Sequence, residues 1–181
     1  TAIIIWTTTP WTIPGNRALA VHNDIEYKSL NLKINDGNKN VIIASDLVES
    51  FIKENKIEEY KVNFSIKGHE LTNTFCKHTL YDSGYNFEVP ILHGDFVTTE
   101  QGTGIVHICP VHGMDDFILG KQHDLELPMT INESGIYYDH IPVFNGQHIF
   151  KVDQNVCDEI KKNNNLISVS YTHLRAHETA R

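Results

Sequence analysis

A chain of 181 residues, 40% of them apolar, is long enough for one globular domain with its own core. No run approaches the roughly 18 consecutive apolar residues of a membrane span, and the first residues lack the basic flank and cleavage site of a secretory signal, so a cytoplasmic protein with no membrane contact is expected. The net charge of −8 and the scarcity of arginine, present only as Arg17, Arg175 and Arg181, argue against broad, phosphate-driven nucleic-acid binding; any RNA contact must be local. Three widely spaced cysteines, Cys76, Cys109 and Cys157, suggest neither a disulfide framework nor a zinc ribbon.

Along the chain, short β-prone runs dominate. Residues 3–6 open the series, Leu30, Leu32 and Ile34 alternate with period two, and 41–44 form a further run. Ser45 is placed to cap a helix whose stripe is Leu47, Val48, Phe51 and Ile52. Residues 61–67 give the clearest alternation: Val62, Phe64 and Ile66 face one way and the polar residues the other, which predicts a half-buried strand. Residues 96–99 and 105–109 are again β-prone, and 98–105 read as a hairpin turning at Gly102, where glycine supplies a positive φ. One helix is expected after Met114, and another over 151–163, where Val152, Val156 and Ile160 recur at four-residue intervals before three asparagines. Short strands with interspersed helices and no regular alternation predict a mixed α/β, β-rich, barrel-like domain rather than a doubly wound sheet. The ending SYTHLRAHETAR breaks from this pattern, so the domain is expected over 1–168 and a foreign or disordered tail over 169–181.

Two segments carry chemistry. In WTTTPWTIPGN, residues 6–16, a strand ends in Thr7, Thr8 and Thr9 before Pro10 and Pro14 fix the exit path, so that adjacent hydroxyls near Asn16 could orient a water or a ribose hydroxyl. Three threonines in a strand otherwise mean only β propensity. In GTGIVHICPVHGMDDFILG, residues 102–120, a strand bearing His107 leads through Pro110 and Gly113 into a helix bearing Asp115 and Asp116. The glycines lack the third member of a dinucleotide fingerprint and the ending of a phosphate loop. His107, His112, Asp115 and Asp116 crowd together, yet their spacing matches no recognised zinc pair, and no metal is expected. Cys109 reads as a core residue, and no nucleophile elbow is present.

Together these two segments resemble the signature segments of the editing insertion of isoleucyl-tRNA synthetases, over roughly residues 1–168. Valyl and leucyl editing domains typically open with a TTRP motif, which Thr8-Thr9-Pro10 does not match. The resemblance implies a β-barrel with flanking helices that hydrolyses valyl-tRNA for isoleucine at a pocket separate from the synthetic site. The HIGH and KMSKS signatures of that site do not occur here, so no ATP-dependent ligation is expected. It further implies that Asp116 holds the substrate ammonium and His107 forms a size-limiting wall. Thr7, Thr8, Thr9 and Asn16 would position the hydrolytic water and the terminal adenosine, and Trp6 would offer apolar surface. The implied partners are the 3' aminoacyl end of the tRNA, valine as noncognate amino acid and the rest of the synthetase, with no cofactor. Three alternatives stand beside it: a module that docks the tRNA 3' end without hydrolysis, a valyl editing domain, and an unrelated metallohydrolase built on the His and Asp cluster.

Overall fold

The computed structural model describes residues 1–34 and 37–169. In chain order the strands are β1 (Ala2–Ile3), β2 (Ala18–Val21), β3 (Glu26–Ile34), β4 (Gly37–Ala44), β5 (Tyr60–Lys67), β6 (Phe75–Lys77), β7 (Glu88–His93) and β8 (Val106–Ile108). The helices are α1 (Val48–Glu54), α2 (Gly68–Leu71), α3 (Met114–Gln122) and α4 (Ile149–Lys162). They form a mixed α/β structure with two four-stranded sheets, ordered β1-β4-β3-β5 and β6-β7-β2-β8. Both sheets are mixed: β1 runs parallel to β4 and β2 parallel to β7, and the remaining pairs are antiparallel.

One core is shared between the sheets, with Leu19, Val21, Val89 and Ile91 from the second meeting Tyr27, Ile42 and Ala44 from the first. The strand β3 is buried on both faces, because Tyr27 packs in this shared core while Leu30 and Leu32 pack with Val48 and Phe51 of α1. The hydroxyl of Tyr27 accepts the His22 N–H at 3.1 Å and donates to the Gly104 carbonyl at 2.8 Å, tying β3 to the approach to β8. Burial pushes that phenol up to about 12, so it stays a donor.

The helix expected over 151–163 is α4, and its stripe of Val152, Val156 and Ile160 packs on Ile13, Leu80, Tyr137 and Phe144. At roughly 1.5 to 3 kcal/mol for each fully buried aliphatic side chain, this stripe is what seats the amino-terminal turn against the rest of the fold. The stripe of α1 is buried as its spacing predicts, but Ser45 does not cap it: a short 3-10 turn intervenes, and the Ser45 hydroxyl donates to Glu26 at 2.9 Å.

Three expectations are corrected. Residues 96–99 form no strand and 98–105 no hairpin, because β8 finds its partner in β2, with Leu19 opposite His107; the turn survives with Gly102 at φ 77°. Strand β5 exists but is not half-buried, with Val62 42% and Phe64 50% exposed. Its pairing with β3 shifts register between Ser29 and Leu30, so Val62 sits opposite Leu30 and Phe64 opposite Ser29. A bulge at this point places those two apolar residues on opposite faces and breaks the period of two. Finally, β1 ends at Ile3, so Thr7, Thr8 and Thr9 lie in irregular backbone rather than at a strand end. Of the expected tail, residues 170–181 lie outside the described residues. No helix among the described residues is long and apolar enough to cross a membrane.

Candidate functional site

Pro10 and Pro14 lack an N–H and fix φ, which removes two donors from any strand and favours a tight helical turn. The result is a 3-10 turn over Pro10–Gly15, closed by Thr12 N–H on the Thr9 carbonyl and Asn16 N–H on the Ile13 carbonyl, each 3.0 Å. Just before it, the Thr9 N–H donates to the Thr7 hydroxyl at 3.0 Å and the two hydroxyls stand 3.3 Å apart. Thr7 is half-buried, while Thr8 and Thr9 are exposed.

His107, buried on β8, meets this turn with both ring nitrogens. The Asn16 side-chain nitrogen donates to Nδ1 at 2.8 Å and to the Ala18 carbonyl at 3.0 Å. Because an amide nitrogen can only donate, Nδ1 is the acceptor and the ring proton sits on Nε2. Nε2 then donates to the Thr12 hydroxyl at 2.8 Å, which donates onward to the Thr9 carbonyl at 2.9 Å. Burial, with His112 nearby, pulls the imidazole down to about 4, so it is neutral at physiological pH. A neutral ring with both nitrogens engaged has none free to carry a proton.

Two residues beyond His107, the Cys109 N–H donates to Asp116 Oδ2 at 2.7 Å. Asp116 lies in the first turn of α3, where the helix dipole favours a carboxylate. Partial burial nevertheless raises its pKa, the Cys109 N–H opposing and Asp115 adding to the rise. Cys109 is buried, its thiol pushed up to about 12, which makes it packing rather than a nucleophile. It packs on Gly15: a Cβ there would lie 2.5 Å from Cys109 Sγ, so only glycine lets the turn approach this strand.

Trp6 is 52% exposed and covers the turn before β8, where a Cβ on Gly102 would stand 3.4 Å from the Trp6 Cβ. The two segments therefore meet at His107, which bonds Thr12 and Asn16, at Gly15 against Cys109 and at Trp6 against Gly102; Thr9 joins through Thr12 and Asp116 through the Cys109 N–H. Asn16 is buried with its amide nitrogen committed to protein acceptors, so it shapes the site from within. Among the described residues no three His, Cys, Asp or Glu side chains converge as ion ligands; His112 Nε2 is instead 2.9 Å from the Thr130 hydroxyl. Two surface hollows, of about 250 Å3 beside Asp82 and Lys162 and about 340 Å3 beside Asn132 and Phe150, are lined by none of these residues.

Sequence reasoning passed over the residues that hold the turn from outside. His78, buried, donates from Nε2 to the Ile13 carbonyl at 3.0 Å. Asp153 of α4 accepts the Trp11 N–H at 3.1 Å, and the Tyr137 hydroxyl donates to the Trp11 carbonyl. Their partners are far away in the chain, and no spacing rule links them. Thr12, inside the motif, could have been found from its place one helical turn after Thr9.

The family model for the leucyl-tRNA synthetase editing domain matches residues 1–166. An isoleucine--tRNA ligase of Pelagibacter ubique is 42% identical over 171 residues, which cover 93% of this chain and 19% of that protein. The chain thus spans about a fifth of the length of that relative. Among solved structures, GlLeuRS-CP1 superposes with a TM-score of 0.72 at 16% identity, covering 94% of this chain and 84% of that one. The editing domain of the cytosolic leucyl-tRNA synthetase of P. knowlesi gives 0.64 at 15% identity, covering 90% and 82%. At such identities the structures speak for the fold alone, whereas the match of the family model over nearly the whole described chain settles membership: the chain belongs to the editing-domain family of the leucyl-type aminoacyl-tRNA synthetases.

Proposed function

We propose that this chain is the editing unit of an isoleucine--tRNA ligase and hydrolyses valyl-tRNA for isoleucine to free valine and tRNA. The isoleucyl family is itself the standard illustration of why such a unit is needed, since one missing methylene changes binding by only about 1 to 3 kcal/mol. The observation that supports the reading is that His107 is hydrogen-bonded across to Thr12 and Asn16 of the distant amino-terminal segment, while Asp116 is held within its own segment on the Cys109 N–H, next to the Gly15 contact. Its relatives among the isoleucine--tRNA ligases favour it over the valyl alternative.

In this reading Asp116 takes the valine ammonium through a charge-assisted hydrogen bond, using acceptor capacity left after the Cys109 N–H. His107, fixed and neutral, limits the space for the side chain, because overfilling a rigid wall is penalised steeply. Thr7, Thr8 and Thr9 hold the attacking water and the terminal ribose, Trp6 lies against the 3' end, and Asn16 acts by fixing His107. Water adds to the ester carbonyl, the C–O bond to the ribose breaks, and the ribose oxygen takes the proton. An aminoacyl ester is reactive enough that positioning and oxyanion stabilisation suffice without an enzyme nucleophile. The acidic charge assigns most of the tRNA contact to the rest of the synthetase.

Side-by-side deacylation of valyl- and isoleucyl-tRNA tests this. Asp116→Ala is expected to lower hydrolysis of valyl-tRNA by about 100-fold or more, the usual effect of losing a positioning ion contact. His107→Ala is expected to admit isoleucyl-tRNA. Unaltered rates and selectivity in both variants would reject the assignments, and binding of the tRNA 3' end without turnover by the unsubstituted protein would favour the docking module.

A further inference from the structure

We infer that His78, which the proposed reaction does not use, is a positioning residue that braces the editing turn at the Ile13 carbonyl. The inference rests on the editing reading and on one continuous path of hydrogen bonds. His78 accepts the Leu80 N–H on Nδ1 at 3.1 Å, so its proton is on Nε2, which donates to the Ile13 carbonyl at 3.0 Å. That same carbonyl accepts the Asn16 backbone N–H at 3.0 Å. Asn16 then donates from its side chain to His107 Nδ1, and His107 passes the path through Thr12 to the Thr9 carbonyl. In both histidines Nδ1 accepts and Nε2 donates, which sets the direction of the bonds that each ring makes.

The ring of His78 cannot turn away from this duty. It is 1% exposed and stacks on Tyr85 at 4.9 Å with planes 14° apart, while Phe87 lies 5.0 Å away on a tilted plane. Val152, Val156 and Ile160 close the same core over Ile13. A histidine that served packing alone would not need to be the second donor on a carbonyl already used to close the turn. Loosening it frees Ile13 and Asn16 together, and with Asn16 the tautomer of His107.

Two substitutions separate bracing from packing. Gln in place of His78 carries a donor at the reach of Nε2, whereas Asn keeps an acceptor at the reach of Nδ1 but falls short of the Ile13 carbonyl; both lose the stacked ring. His78→Asn is expected to lower the single-turnover rate on valyl-tRNA at least tenfold with KM within twofold of the parent, and His78→Gln to restore it to within threefold. Nitrogen NMR of the His107 ring should show one protonated and one bare nitrogen in the parent and in His78→Gln. In His78→Asn the two signals should move toward each other as the tautomer is released. Equal rates in the two variants, or an unmoved His107 spectrum in His78→Asn, would overturn the inference. If the parent protein itself fails to hydrolyse valyl-tRNA, the editing reading falls, and the ring spectra alone still decide whether His78 braces His107.

Discussion

The turn at Pro10–Gly15 and the strand β5 are opposites in how firmly they are held. The turn is a short 3-10 segment, and side chains from four other parts of the chain bond to it: His78, His107, Tyr137 and Asp153. Strand β5 runs over eight residues with a bulge in its pairing, touches one neighbouring strand and leaves Tyr60, Val62 and Phe64 partly in water. A ladder to one neighbour satisfies an edge strand's backbone on one side only, whereas fixing a short turn takes partners brought together by the whole fold. The proposed chemistry sits on the second kind of structure, where three hydroxyls must be aimed.

Acidification is expected to break the contrast most strongly. His78 and His107 are both pulled down to about 4 by burial, against an ordinary 6.5. Between these values the unfolded chain binds protons that the folded chain refuses, so stability falls as pH drops through that window. From pH 7 to pH 5 the loss is about 2 kcal/mol per histidine. Asp116 and Asp153, whose pKa values burial raises, push weakly the other way. Urea unfolding at the two pH values checks the net drop, and a chain with His78→Gln should lose less.

A smaller effect sharpens it. Gly15→Ala drives a methyl to 2.5 Å from Cys109 Sγ and is expected to cost about 1 to 3 kcal/mol. Cys109→Ala in the same chain should recover much of that, which a double-mutant cycle measures as coupling. Cys109→Ala alone should leave deacylation intact. At the other extreme Phe64→Ser on β5 is expected to move stability by no more than about 0.5 kcal/mol in thermal unfolding, as an exposed position does.

The sequence reading was sound where structure follows from neighbours in the chain. Val152, Val156 and Ile160 mark α4 because one helical face repeats every few residues, and Leu30 and Leu32 mark β3 for the analogous reason in a strand. It failed at 96–105, where two β-prone runs around a glycine imitate a hairpin, because the real partner of β8 is β2, far back in the chain. It failed differently at β5: alternation was present, but Asn63 at the bulge and the lack of a second neighbour decided burial. For the candidate site, the two motifs singled out Thr9, Asn16, His107 and Asp116, since those residues are clustered in short stretches. His78 and Asp153 were invisible because their bonds cross the chain to backbone atoms, which leave no residue-type signature at the other end.

The register shift in β5 has a bearing on how the chain behaves in company. Among the described residues β5 is the outermost strand of its sheet, and an outermost strand offers a row of unsatisfied amides on which another molecule could lay down a strand of its own. Two residues opposing one at the bulge put that row out of step, and the lysines at 61 and 67 surround it with charge. The irregularity that defeats the simple period thus also keeps neighbouring molecules from stitching onto a partly apolar margin.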